Sequence, residues 1–129
     1  MFCTRSGAHA HVVAIPALPD TGGVIVGTVG DSLSTMEGQQ AARLAAINLL
    51  SVLQAELGDL DRIVRMVKVT GYVQCIAGFD SLPVVLNGFS DFLGEALGAD
   101  KAVHARAAVG VNALPLNMCV EIEATVEVD

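Results

Sequence analysis

No tryptophan occurs in this chain, and of its 129 residues only four phenylalanines and one tyrosine are aromatic. The stacking platforms that hold single-stranded nucleic acid therefore have little to be built from. Cationic residues are scarce as well: seven Lys and Arg stand against 14 Asp and Glu, a formal charge of −7, with no basic cluster anywhere. That balance disfavours binding to a phosphate backbone. Cysteine is limited to Cys3, Cys75 and Cys119, an odd number without metal-ligand spacing. Such usage fits tolerated thiols in a reducing compartment better than a disulfide framework. Apolar runs stay short of the roughly 18 residues of a membrane span, and the opening MFCTRSGAHAH has no apolar stretch of the signal-peptide kind. A cytoplasmic protein is expected, with neither membrane nor nucleic acid as partner.

What is present is aliphatic. With 53% apolar residues and few rings, the interior must be filled by Val, Leu, Ile and Ala, whose faces suit subunit contacts as well as cores. The length allows one two-layer core, so residues 1–129 are expected to form a single domain.

Along the chain, HVVAIPALP from His11 begins as a strand that Pro16 and Pro19 interrupt. PDTGG then supplies turn chemistry and VIVG a second short strand, which together predict an N-terminal hairpin. Gly27 and Gly30 alone make neither a P-loop nor a dinucleotide fingerprint. Ser34 and Glu37 have capping-box spacing and predict a helix start. Leu44, Ile47, Leu50, Leu53 and Leu57 then recur as one stripe until Gly58. The β-branched run IVRMVKVTGYV predicts a strand with Ile63, Val67, Val69 and Val73 on one face, and Val64, Met66, Lys68, Thr70 and Tyr72 on the other. A second helix is expected from Asp80 or Ser81 to Gly98, with Pro83 in its first turn and Val85, Phe89, Phe92 and Ala96 inward. Gly88 and Gly94 inside it each cost roughly 1 kcal/mol relative to Ala, so packing must hold that helix.

The last 25 residues read as two strands folded back over Leu-Pro-Leu-Asn. In the final strand Met118, Val120, Ile122, Ala124 and Val126 alternate with Cys119, Glu121, Glu123, Thr125 and Glu127. In the preceding one, Ala107, Val109 and Val111 are expected in the core, which leaves Arg106, Ala108, Gly110 and Asn112 outward beside the glutamates. The order ββ, α, β, α, ββ predicts an α+β fold, a mostly antiparallel sheet with two helices on one face and the other face uncovered. A guanidinium among alanines calls for an anion. Glu123 across the hairpin would supply one at a gain of at most about 1 kcal/mol, and a ligand in an inter-subunit cleft is the other source.

The segment HARAAVGVNALPLNMCVEIEATVEV resembles the C-terminal signature of the RidA/YjgF family. QQAARLAAINLLSVLQAEL is similar to that family's first helix, VKVTGYV to its middle strand and LPVVLNGFSDFL to the start of its second helix, so the likeness covers about residues 27–128. The resemblance implies a chorismate-mutase-like fold, homotrimers with inward sheet faces, and hydrolysis of reactive enamines and imines to 2-oxo acids and ammonia. By position it assigns Arg106 to the substrate carboxylate, Glu121 to the attacking water and Asn87 to the helix beside the site. It implies no cofactor and no metal. The activity would be that of a C–N hydrolase of the 2-iminobutanoate/2-iminopropanoate deaminase type, acting on a small 2-imino acid. The alternatives are a trimeric binder of small carboxylates without catalysis, and a purely structural trimer. Three departures stand out: Ile15-Pro16 replaces the family's usual Ser-Gly, the N-terminal segment has no ring besides its histidines and Phe2, and Ala108 stands where many members have a cysteine. Pro16 offers no N–H to a ligand.

His9 and His11 share one side of an extended segment without a third metal ligand, and read as a solvated terminus. His104 reads either as an acid in the ligand cleft or as the start of a strand.

Overall fold

The computed structural model describes residues 2–129. Its strands are β1 (Cys3–Ser6), β2 (His9–Ala14), β3 (Ile63–Gln74), β4 (Ala105–Val111) and β5 (Val120–Val128). The helices are α1 (Thr35–Leu57), α2 (Leu82–Leu97) and the single turn α3 (Ala99–Ala102). One sheet runs in the order β1-β2-β5-β3-β4, antiparallel throughout except for the parallel pair β3–β4. Both long helices lie on one face, α1 against β2 and β5, α2 against β3 and β4. The α+β arrangement with one uncovered sheet face is as expected; α3 is an addition.

Helix α1 starts where its cap predicts. Ser34 Oγ accepts the Glu37 N–H at 3.1 Å and Glu37 Oε1 accepts the Ser34 N–H at 3.0 Å. These two bonds satisfy amides that the first turn would otherwise leave open, and the Ser34 N–H, with the Ser34 hydroxyl beside it, holds the Glu37 carboxyl below its ordinary range. Gly58, at φ 84°, closes the helix by donating to Gln54 O. The buried stripe differs from the expected one. Leu50, Leu53 and Leu57 are inside, but Ile47 is 40% exposed, and Ala41, Ala42, Ala45, Ala46 and Leu49 fill the core instead. Small residues face inward because α1 must meet both the sheet and α2 at short range. Gly88 is the point of closest approach: a methyl group there would overlap the Gln39 carbonyl of α1. Gly71 of β3 likewise leaves the space that Leu86 of α2 occupies. In α2 the inward residues are Val85, Leu86, Phe89 and Leu93. Ala96 is exposed, and Phe92 is half-buried with the Arg43 guanidinium 4.8 Å above its ring.

Three sequence expectations fail, each for a topological reason. The N-terminal hairpin forms two residues from the start of the chain, between β1 and β2. The predicted partner VIVG keeps only an isolated bridge between Ala17 and Val24, then runs beside Met118. In β3, irregularities between Ile63 and Arg65 and between Met66 and Lys68 shift the alternation. Met66 is consequently buried and Val67 only half-buried, the reverse of the strict period. Finally, β4 and β5 are not a hairpin. β3 lies between them, and residues 112–119 cross the end of β3 to connect them. Gln74, 3% exposed, fastens that crossing: its Nε2 donates to Gly27 O at 2.9 Å and Asn117 Oδ1 at 2.7 Å, and its Oε1 accepts the Leu114 N–H at 2.8 Å.

Candidate functional site

The parallel register places Arg106 beside Val69 and Ala108 beside Gly71. Val69 is 1% exposed in the helix-covered core, and paired residues share a face. Arg106 therefore projects to the helix side of the sheet, where β4 forms the edge. Its expected place on the uncovered face is overturned, and so is the pairing with Glu123 across a hairpin. The outward residues of β4 are Ala105, Ala107 and Val109, which its composition alone assigned to the core.

On the helix side Arg106 meets α2. Its Nη1 donates to Asn87 Oδ1 and to Ser90 Oγ, each at 3.1 Å. Asn87 and Ser90 are three residues apart on one helix and so present both oxygens to the same place. Ser90 Oγ lies 3.0 Å from His104 Nε2, and His104 Nδ1 lies 2.6 Å from Ala102 O. A carbonyl oxygen only accepts, so Nδ1 carries a hydrogen; in the neutral ring Nε2 is then the acceptor of the Ser90 hydroxyl. Ser90, Ala102, Val103, His104 and Arg106 line a cavity of about 290 Å³.

The charge of Arg106 is not neutralised by its surroundings. Ion pairs among the described residues join Arg43 to Glu95, Arg62 to Asp129 and Arg65 to Glu127, all with substantial exposure. Arg106 is in none of them, and among the described residues its Nε and Nη2 have no hydrogen-bond partner. Both of its neighbours are neutral oxygens that orient the fork without cancelling it. The guanidinium thus keeps two donor groups in a fork whose shape matches a planar anion.

Glu121 lies elsewhere. It pairs with Tyr72 on the uncovered face of β5, on the other side of the sheet from the Arg106 side chain and with β3 between the two strands. The fold thus brings together Arg106 and Asn87 but not Glu121 of the same chain. Near Glu121, Tyr72 Oη donates to Glu123 Oε1 at 3.0 Å, which raises the phenol above its ordinary value. A wider groove of about 460 Å³ opens on this face, lined among others by Thr4, His11, Lys68, Glu123 and Thr125. His11 is not part of a loose terminus: it sits in β2 with Nδ1 3.3 Å from Thr125 Oγ1. Cys119 is buried, which pushes its thiol up to about 11, whereas Cys3 and Cys75 are half-buried.

The sequence alone assigns no role to Ser90 and allows His104 two. The usable signal is spacing: His104, just before β4, and Arg106 on it are two residues apart, and Asn87 and Ser90 share one helical face.

The sequence model of the endoribonuclease L-PSP family matches residues 20–128. The chain belongs to that family, the RidA/YjgF family of the resemblance. Protein TCP17 of Trypanosoma cruzi is 42% identical over 124 residues, 96% of this chain and 78% of that protein. Among solved structures, a protein of unknown function from Agrobacterium tumefaciens is 38% identical with a TM-score of 0.95, over 100% of this chain and 83% of that one. A candidate endoribonuclease from Shewanella oneidensis is 25% identical with a TM-score of 0.92, over 99% of this chain and 84% of that one. The five-stranded sheet with its helices on one face is thus the fold of L-PSP family members.

Proposed function

We propose that this L-PSP family protein hydrolyses reactive enamine and imine intermediates of amino-acid metabolism to 2-oxo acids and ammonia. The work is done in clefts that three copies of a single-domain chain complete. The observation that carries the reading is the Arg106 guanidinium, aimed by Asn87 and Ser90 and without an acidic partner among the described residues. In this reading it binds the substrate carboxylate. Glu121 takes a proton from water as the oxygen adds to the imine carbon and passes it to nitrogen; the proton of the new hydroxyl follows the same route as C=O forms, the C–N bond breaks and ammonia leaves. An imine carbon is electrophilic enough for this step to need no cofactor. Arg106 and Glu121 of one chain lie on opposite sides of its sheet, so a cleft containing both draws them from two copies. The exposed row Ala105, Ala107 and Val109 on the outer side of edge strand β4 suits such a contact.

A carboxylate-binding role without turnover is the second reading. It is favoured by Pro16, buried just beyond β2, which offers no N–H where the family usually has a glycine. The ribonuclease of the family's description is not favoured. The charge of −7, and a groove in which Lys68 stands beside Glu123, suit RNA poorly.

The test is ammonia release from an imine generated in situ by an amino-acid oxidase. Wild type is expected to accelerate it, and Arg106→Ala to lose at least about tenfold, as removal of a charged hydrogen-bonding group implies. Glu121→Gln should retain the rise in melting temperature caused by 2-oxobutanoate while losing rate. Equal, negligible acceleration by wild type and Arg106→Ala abandons catalysis, and no thermal shift with 2-oxobutanoate abandons binding. A sedimentation mass of one chain rather than three removes the shared cleft.

A further inference from the structure

The cavity beside α2 contains more than an anion holder. Its hydrogen bonds run in one direction: Arg106 Nη1–H to Ser90 Oγ, Ser90 Oγ–H to His104 Nε2, His104 Nδ1–H to Ala102 O. A helical serine ordinarily returns its hydroxyl to a carbonyl one turn back. This one is instead placed at 3.0 Å from an imidazole whose other nitrogen is fixed by a main-chain oxygen at 2.6 Å. Nucleophile, base and orienting group are thereby within the distances that hydroxyl activation needs. The adjacent cation favours the alkoxide, and its Nε and Nη2 hydrogens, free of partners among the described residues, can receive an oxyanion. Neither Asn87 nor Glu121 is needed for this chemistry.

We propose that Ser90 is an acyl-accepting nucleophile activated by His104, and that this cavity hydrolyses short-chain carboxylic esters. Ser90 Oγ bonds to the acyl carbon as its proton passes to His104 Nε2, and the carbonyl electron pair moves onto oxygen beside Arg106. Collapse of the adduct breaks the ester C–O bond, and the departing alkoxide takes the proton from His104. Water then repeats the sequence, with His104 again accepting and returning a proton; the acid is released and Ser90 restored. The groove of about 290 Å³, lined in part by Ala102 and Val103, opens to solvent and has room for a short acyl chain.

The proposal does not depend on imine hydrolysis, and its first readout uses the unaltered protein. After treatment with a fluorophosphonate, peptide mass spectrometry is expected to find the phosphonyl adduct on Ser90. Hydrolysis of 4-nitrophenyl acetate should fall to background in Ser90→Ala and slow roughly 100-fold in His104→Gln. Ser90 recovered unmodified, an adduct confined to another residue, or Ser90→Ala hydrolysing at the wild-type rate would each overturn it. If the variants fail to fold, the adduct map of the wild type decides alone.

Discussion

The two sides of the sheet hold their polar groups in different ways. On the helix side, at the β4 edge, Arg106, Ser90 and His104 form one directional chain of hydrogen bonds that ends on Ala102 O, with Asn87 as a second acceptor of the uncompensated cation. On the uncovered side the polar groups are spread in rows across the strands. Thr4, His11, Thr125 and Lys68 make one such row, and Glu123 and Glu127 there have Tyr72 and Arg65 as partners. Packing explains the contrast. A helix laid on a sheet fixes side chains from two elements against each other, so a few polar groups acquire one geometry. An open sheet face fixes only spacing, and its groups stay solvated until another surface covers them.

The comparison breaks most severely at Gly88. Gly88→Ala drives a methyl group into the α1 backbone and lifts α2, with Asn87 and Ser90 on it. A loss of about 2–3 kcal/mol is expected, seen as a melting temperature lower by roughly 10 °C. An unchanged melting temperature would mean that the two helices are not in the contact described. A narrower cut is Asn87→Ala, which removes one of two acceptors that aim Arg106. The expected cost is about 1 kcal/mol, read as a roughly fivefold weaker Kd for 2-oxobutanoate; no change would separate anion binding from the helix side. The smallest effect belongs to the open face. Tyr72 is the single tyrosine of the chain, so the phenolate absorbance reports it alone. Its Glu123 partner raises it above 10.0, so the stabilisation is present below that value and disappears as the pH rises through the folded midpoint. Glu123→Gln should bring the midpoint back towards the ordinary one, and a midpoint that does not move would show that the 3.0 Å bond is not made in solution.

Legibility in the sequence followed how strongly each element is bounded by its own chemistry. Ser34, Glu37 and Gly58 close a helix by local hydrogen bonds, and local spacing was enough to find them. In β5 every second residue is buried, because the strand lies in the sheet interior with helices over one face only, so Val120 to Val128 read correctly. β4 is an edge strand built from alanine, valine and glycine. Its pattern fits either face, and pairing it with its neighbour in sequence predicts the wrong one. Met66 and Val67 were exchanged because a bulge depends on the partner strand, which no local period encodes. The same holds for the site: Arg106 and Asn87 were found by likeness to a family, while Ser90 and His104 required the parallel β3–β4 pairing to meet.

Local chemistry in the chain decided the helix limits, the acidic charge, the aliphatic core and the in-out alternation of the last strand, because each depends on neighbours within a few residues. Only the tertiary structure decided which side of the sheet Arg106 faces and what touches it. That outcome rests on β3 inserting between two strands adjacent in sequence, a long-range pairing whose free energy is shared among the sheet and both helices rather than written into any one segment.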